Sequence, residues 1–360
     1  MRIAIDAREL SGRPTGVGRY LAELLRGWNS LAGASAHEFV LCAPAPIDLP
    51  RFSALRVSQV TAPGRGPWWE QRILPRLAAR SSADVLFAPA YSGPIFASMP
   101  VVVTVHDVSF AAHPEWFAPR EGLRRRWLTR WSARRARRVL TVSDFSKREI
   151  VRWLGVAPED IEVVYSGATP FATPSSEPAP PAAPLVLYVG SVFARRHVPE
   201  LMAGFARMAA RHPDARLAIV GDDRSRPPVD LEAVAEATGQ RERIGLHRYV
   251  SDDELARLYA SAGAFAFLSE YEGFGLTPLD ALAAGVPIVV LDTEVAREIY
   301  GPAAVYVAEP EPALVEAALE RVLFDDGERA RLRVAAATIL GRYSWRACAQ
   351  RTLQILLAAK

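Results

Sequence analysis

Cysteine is scarce: only Cys42 and Cys348 occur in 360 residues. They lie far apart and form no metal-like spacing, so a reducing cytoplasm without a structural disulfide is expected. No apolar run approaches the roughly 20 residues that a bilayer-spanning helix needs. The start, Met-Arg-Ile-Ala-Ile-Asp, is too short for a signal peptide and runs straight into a strand pattern. Helix-turn-helix, zinc-finger and aromatic RNA-binding signatures are absent, so nucleic acid is not an expected partner. A strong net charge is missing as well, at +3 overall, but that figure hides an asymmetry. Residues 1–168 hold 23 Lys and Arg against 15 Asp and Glu, and residues 169–360 hold 20 against 25. The basic half is expected to face an anionic partner, a membrane surface before any other.

What is present suits a two-domain α/β protein. The length allows about two domains, and the 50% hydrophobic content is enough for sizeable cores. Residues 169–184 contain six prolines, which forbid regular structure and mark a semi-rigid linker. On either side, short apolar runs alternate with helical patterns. The first half offers strands over Arg2–Ile5, Glu38–Cys42, Val85–Ala88, Val101–Val105, Val139–Val142 and Ile161–Val164. The second offers Leu185–Val189, Arg216–Val220, Ile244–Tyr249, Ala264–Leu268, Pro287–Leu291 and Ala304–Val307. Such runs, separated by helices, imply parallel sheets covered on both faces. Two Rossmann-like, doubly wound domains follow, 1–168 and 185–340, with residues 341–360 as a C-terminal helix. Ligands belong at the carboxyl ends of the strands, and an inter-domain cleft is the expected active site.

The densest motif runs from Ser269 to Gly285, Ser-Glu-Tyr-Glu-Gly-Phe-Gly-Leu-Thr-Pro-Leu-Asp-Ala-Leu-Ala-Ala-Gly. It leaves an apolar strand and enters a helix predicted to start near Thr277 and Pro278. A carboxylate, Glu272, thus shares a strand-to-helix turn with Gly273 and Gly275. Glycine allows close approach of the backbone to a ligand, and a helix start favours an anion. A sugar on the carboxylate and a diphosphate on the helix start fit this arrangement. Thr277-x-x-Asp280 also matches a capping box.

Glu272, then Gly-Phe-Gly-Leu-x-Pro-Leu, then Asp280 resembles the paired-acid signature of retaining glycosyltransferases with the GT-B fold. The nearest group is the large bacterial family of mannosyl- and glucosyltransferases, glycosyltransferase family four or glycosyl transferases group one. The resemblance implies that Glu272, Gly273 and Phe274 bind the donor sugar, that Gly275 and Leu276 serve its diphosphate, and that Asp280 meets the ribose. The family carries Glu at the last position; here the shorter Asp280 leaves ribose binding and helix capping both open.

Other motifs extend the resemblance. Gly16 and Gly18, in Thr-Gly-Val-Gly-Arg-Tyr before a predicted helix Tyr20–Trp28, read either as a flexible turn or, as matching loops of the family imply, as a mobile loop over the diphosphate or the acceptor. His106-Asp107 ends a predicted strand and begins a stretch similar to that of mannosyltransferase-like members, which implies that His106 lies against the donor sugar as a catalytic group. Arg195-Arg196-His197 follows Leu185–Val189 where the family has Arg-Lys-Asn or Glu-Lys-Gly. The resemblance implies that Arg195 and Arg196, the latter at the place of the family's Lys, serve the diphosphate, a role that suits the bidentate guanidinium; two solvated loop arginines are the alternative. Gly221-Asp222 and Arg248-Tyr249 close two further strands that flank the nucleobase in the family. Ser251-x-x-Glu254 is a capping box with only a structural role.

Residues 120–138 hold nine arginines against Glu121 alone. Leu123, Trp127 and Trp131 recur on one helical face. They read either as a stripe packed on the sheet or, with Arg124, as an interfacial patch that Trp68 and Trp69 extend.

The resemblance as a whole implies a retaining, metal-independent hexosyltransferase that needs no cofactor. Its partners are a nucleotide-diphospho-sugar donor, GDP-mannose before UDP-glucose, and a glycan or lipid-linked acceptor of cell-envelope polysaccharide synthesis. An anionic membrane surface is a further expected partner. The alternatives are a GT-B-fold epimerase and a non-catalytic nucleotide-sugar-binding subunit. The final helix is expected to cross back to the first domain.

Overall fold

The computed structural model describes residues 1–12, 15–50, 52–169 and 184–360. The proline-rich linker, except for Thr169 and Pro184, lies outside the described residues. The chain forms two units, Met1–Gly167 with Tyr343–Lys360, and Ala168–Arg342.

The first unit is built on seven parallel strands: β1 (Arg2–Asp6), β2 (Glu38–Ala43), β3 (Arg56–Thr61), β4 (Val85–Ala88), β5 (Val101–Thr104), β6 (Arg138–Thr141) and β7 (Ile161–Val163), in the order β3-β2-β1-β4-β5-β6-β7. The second has six: β8 (Leu185–Val189), β9 (Arg216–Val220), β10 (Ile244–His247), β11 (Ala264–Phe267), β12 (Ile288–Leu291) and β13 (Ala304–Val307), in the order β10-β9-β8-β11-β12-β13. All pairings are parallel. Both sheets reverse their winding beside a central strand, β1 or β8. The central strands β4, β5, β11 and β12 are buried along their whole length, as a sheet covered by helices on both faces requires.

Twelve strands agree with the sequence reading to within two residues at each end. The thirteenth, β3, has no counterpart in it. Arg-Val-Ser-Gln-Val-Thr is an edge strand that pairs only with β2 and stays largely exposed, so it never needed the apolar run by which the others are recognised.

The first long helix spans Gly16–Asn29 rather than Tyr20–Trp28. Thr15 caps it, its Oγ1 accepting the Gly18 amide at 3.1 Å. Gly16 and Gly18 therefore form the first helical turn. This corrects the loop expected there: a threonine cap outweighs the low helix propensity of two glycines. The C-terminal helix Trp345–Ala358 packs against this helix within the first unit. Trp28 is fully buried and donates its indole N–H to the Ala349 carbonyl at 2.8 Å. Gly27 makes the crossing tight, because a Cβ there would lie 2.5 Å from the Cβ of Ala349.

Gly27→Ala is expected to lower the melting temperature although Ala is the better helix former by about 1 kcal/mol. Overpacking a filled contact costs about 1–3 kcal/mol. Gly16→Ala, with open space around its Cβ, should leave the melting temperature unchanged or raise it. Equal behaviour of the two variants in thermal melts would show that the helix contact is not tight.

Candidate functional site

The parallel sheets place His106 and most candidate donor residues in loops at the carboxyl ends of strands, with Gly16, Gly18, Leu276 and Asp280 in helices that follow such loops. In the second unit, β8 leads to Gly190–His197, β9 to Gly221–Asp223, β10 to Arg248 and Tyr249, and β11 to Ser269–Gly275. Arg196 is the hub. Its Nε and Nη2 donate to Glu272 Oε1 at 2.9 and 2.7 Å, and its Nη1 donates to the Ser191 carbonyl at 2.9 Å. The guanidinium lies 4.8 Å from the centre of the Phe267 ring and 5.3 Å from that of Phe193. Tyr188 stacks on Phe267, donates to the same Ser191 carbonyl, and has its phenol pushed up to about 12 by burial. Ser269 donates to Glu272 Oε1 at 2.8 Å. The residues expected on the diphosphate and on the sugar thus form one ion pair, with side chains only 13% and 21% exposed. This pairing was not legible in the sequence, because 76 residues separate the partners.

Gly275 carries the turn into the helix Leu276–Ala283. It is left-handed, with φ of 90°, and a Cβ would lie 1.9 Å from the Tyr300 hydroxyl. That hydroxyl donates to the Gly275 carbonyl at 2.8 Å. Only glycine satisfies both constraints. The helix begins at Leu276, so Thr277 sits inside it and Pro278 is its third residue, two positions later than the proline signal implied. The amides of Leu276 and Thr277 have no acceptor within the helix, the kind of donor that a helix start offers to an anion.

Asp280 corrects the capping-box reading. The residue that caps its helix is Gly275, without a side-chain bond. Asp280 is fully buried, and its Oδ1 accepts the Thr169 amide at 3.1 Å. The short carboxylate holds the chain at Thr169 to the underside of the helix. Gly221 sits against Gly190, whose carbonyl would lie 1.9 Å from a Cβ, and the Asp222 carbonyl accepts the Val192 amide. Arg248 and Tyr249 are exposed. Ser251 caps its helix as expected, accepting the Glu254 amide.

In the first unit, His106 follows β5. Its Nε2 lies 2.8 Å from the Pro89 carbonyl, so Nε2 carries the proton and Nδ1 holds the lone pair of the neutral ring. Burial pushes its pKa below the usual histidine value, against the pull of the Pro89 carbonyl and Asp107. Tyr20 and Tyr91 meet the ring edge-on, at 4.9 and 5.5 Å. Tyr91 has a left-handed backbone, φ 66°, and donates to Asp107 at 2.7 Å. Such strain in a non-glycine residue gathers at functional positions.

A charged cluster after β1 escaped the sequence reading. Arg8 pairs with Glu70 at 2.5 Å and lies 3.1 Å from Asp6. Ser92 donates to Glu70 at 2.9 Å. Burial pushes the Asp6 carboxyl up to about 6, against the pull of Arg8. The only signal was Asp-Ala-Arg directly after a strand, too short to single out.

The basic helix spans Pro119–Arg135. It buries Gly122, Thr129, Ser132 and Ala133, and Ser132 donates to the Gly93 carbonyl at 2.6 Å. Leu123, Trp127 and Trp131 face outward, which removes the alternative of a stripe packed on the sheet. Trp68 is exposed too, but Trp69 is 1% exposed and donates its indole N–H to the Ala62 carbonyl. Trp69 therefore leaves the expected patch: its neighbour points out and it points in.

Two family models match the sequence, one described as Glycosyltransferase Family 4 over residues 14–170 and one as Glycosyl transferases group 1 over residues 172–338. Glycogen synthase of Mycobacterium tuberculosis is 28% identical over 76% of this chain. The chain spans 66% of that relative. O-antigen chain mannosyltransferase B of Escherichia coli is 28% identical over 70% of this chain and 68% of its own length. Among solved structures, Anabaena HepE in complex with UDP-glucose superposes with a TM-score of 0.77 at 18% identity, over 99% of this chain and 100% of that one. WaaG, a glycosyltransferase involved in lipopolysaccharide biosynthesis, gives 0.75 at 18% identity, over 99% of each chain. At such identities the structural likeness speaks for the fold.

The ion pair changes what a Glu272 variant does to stability. Glu272→Ala leaves a largely buried guanidinium without its carboxylate, and a lost charged partner costs about 1–3 kcal/mol or more. The melting temperature should fall, and Glu272→Ala combined with Arg196→Met should recover part of the loss. Additive losses in that double-mutant cycle would mean that the pair is not coupled.

Proposed function

The chain belongs to the glycosyltransferases of GT-B fold, and from that premise we propose that it is a retaining hexosyltransferase using a nucleotide-diphospho-sugar. The observation that carries the reading is the Glu272–Arg196 pair, set in a glycine turn at a helix start. The second unit holds the donor: Glu272, Gly273 and Phe274 take the sugar, and Arg195, Arg196, Gly275 and Leu276 take the diphosphate. Gly221, Asp222, Arg248 and Tyr249 lie at the strand ends that serve the nucleoside. The first unit presents the acceptor, with His106 as its catalytic residue and the Gly16–Gly18 helix start as a second anion contact. Asp280 enters this reading through its hold on Thr169.

The acceptor hydroxyl attacks the anomeric carbon from the face that the diphosphate leaves. The C–O bond to phosphate breaks, the diphosphate keeps the electron pair, and the hydroxyl proton passes to a departing phosphate oxygen. Guanidinium groups and helix amides neutralise the charge that develops there, so the step requires no metal. GDP-mannose is the first donor to test, in keeping with the stretch after His106 and with mannosyltransferase relatives. UDP-glucose is the second reading, motivated by the HepE complex. The acceptor is a glycan or lipid-linked glycan of the cell envelope, and the site of action is cytoplasmic.

A ligand that binds only the folded state raises its melting temperature. GDP-mannose or UDP-glucose should do so, and slow release of free sugar should accompany binding. Glu272→Gln, which keeps an acceptor for Arg196, should retain the nucleoside diphosphate but lose about two to three decades in rate, the worth of roughly 2–4 kcal/mol at the transition state. Near-normal turnover by this variant would end the assignment. Epimerisation of donor without acceptor would favour the epimerase alternative.

The exposed Leu123, Trp127 and Trp131 on an arginine-rich helix support a peripheral membrane contact in this reading. No helix among the described residues is long and apolar enough to cross a membrane. Each arginine near an anionic surface contributes about 1 kcal/mol, screened by salt. The protein should sediment with phosphatidylglycerol vesicles and not with phosphatidylcholine vesicles. Joint replacement of Trp127 and Trp131 by Ala should weaken that sedimentation. Absence of wild-type protein from the anionic pellet would leave a soluble enzyme with a soluble acceptor.

A further inference from the structure

His197 stands where the resemblance expects asparagine or glycine. Its backbone is left-handed, with φ of 50°, which explains why those residues suit the place. It does not explain an imidazole. The ring is explained by its contacts. Nε2 lies 2.6 Å from Glu270 Oε1, and Nδ1 lies 3.5 Å from Glu200 Oε1. Glu270 belongs to the turn that carries Glu272, and Glu200 to the helix Val198–Ala209 that His197 opens. The Glu270 amide also donates to the Arg195 carbonyl at 3.0 Å. The turn Ala194–Arg196 and the turn Ser269–Gly275 are therefore joined at three points: Arg196 to Glu272, Arg195 to the Glu270 amide, and His197 to the Glu270 carboxylate.

We propose that His197 is a positioning residue whose imidazolium, held between Glu270 and Glu200, clamps the arginine turn to the Glu272 turn and sets the geometry with which Arg195 and Arg196 receive a nucleoside diphosphate. The inference rests on the donor reading given above and deepens it. The arginine pair is insensitive to pH, whereas the histidine clamp titrates. The charged groups that meet the ring are Glu200 on the helix and Glu270 on the turn Ser269–Gly275; Glu272, Arg195 and Arg196 are carried by the same two turns. Burial disfavours the charged ring, but the hydrogen bond to Glu270 and the charges of Glu200 and Glu270, the former at ion-pair distance from Nδ1 without a hydrogen bond, outweigh it and hold its pKa above the usual histidine value. Glu200 is correspondingly held below the usual carboxylate range, chiefly by His197. The folded-state pKa is raised, so the clamp is fully present below about 6.5, the unperturbed value. It is lost as pH rises through the raised value.

The test measures binding of UDP and of GDP by calorimetry at pH 6 to 9, for wild type and for His197→Asn. Asparagine keeps the left-handed preference and does not titrate. The terminal phosphate of the probe titrates near pH 6 with either protein, so the readout is the ratio of the two affinities. Wild type should bind several-fold more tightly than His197→Asn at pH 6, and the two should converge by pH 9. The titration of the His197 ring, followed by NMR and assigned by its loss in His197→Asn, should lie above the ordinary histidine value and fall in Glu270→Gln. A constant affinity ratio with a raised ring would make His197 a structural contact only and overturn the positioning role. A ring that titrates at or below the ordinary value would overturn the clamp even if a nucleotide binds. A raised ring with neither UDP nor GDP bound by wild type would sink the positioning role together with the donor reading.

Discussion

A parallel strand cannot turn directly into its neighbour. The chain must cross over before the next strand begins, here mostly by helices and, from β2 to β3 and from β4 to β5, by loops. This constraint puts all strand carboxyl ends on one edge in each unit, and every polar residue of the candidate site follows from it. Glu272 and Arg196 meet because β8 and β11 are neighbours in the sheet order, not because they are near in sequence. His106, Tyr91 and Asp107 meet for the same reason, since β4 and β5 are adjacent. The strand bodies, buried on both faces, supply the stiffness that holds these loops in place.

The Arg196–Glu272 pair has two consequences that pull in different directions. It pre-orients a carboxylate and a guanidinium that would otherwise search many rotamers, which is the kind of preorganisation a transfer reaction draws on. It also ties function to stability, because a residue expected to act only on substrate also neutralises a neighbour in a poorly hydrated setting. The aromatic floor of Phe267, Tyr188 and Phe193 sharpens both effects by keeping water from the guanidinium.

The basic helix inverts the usual arrangement. Small residues, Gly122, Ser132 and Ala133, face the unit, and the large apolar ones face out. Periodicity locates a stripe but not the side on which the rest of the protein lies, so the sequence left two readings open and burial removed one. The same ambiguity explains the adjacent Trp68 and Trp69, which periodicity cannot separate and packing does.

Strand positions, the alternation with helices and the family resemblance were all readable in the chain, because buried strands demand apolar runs and glycine turns leave marks at fixed spacing. Edge strand β3 was not, since exposure freed it from that demand. Local capping was half legible: Ser251 behaved as its motif implied, whereas Thr277 lost its cap to Gly275, whose left-handed backbone no spacing rule reveals. Pairing across loops was decided by tertiary structure alone. Arg196 with Glu272 and His197 with Glu270 depend on which strands lie side by side, Asp280 with Thr169 and Arg8 with Glu70 on how helices and loops pack, and sheet order is set by packing rather than by any local pattern. The sequence by itself thus determined the strands and the kind of turn on which the candidate residues sit. Only the fold determined which charges neutralise one another, because a charge pairs with what is near in space.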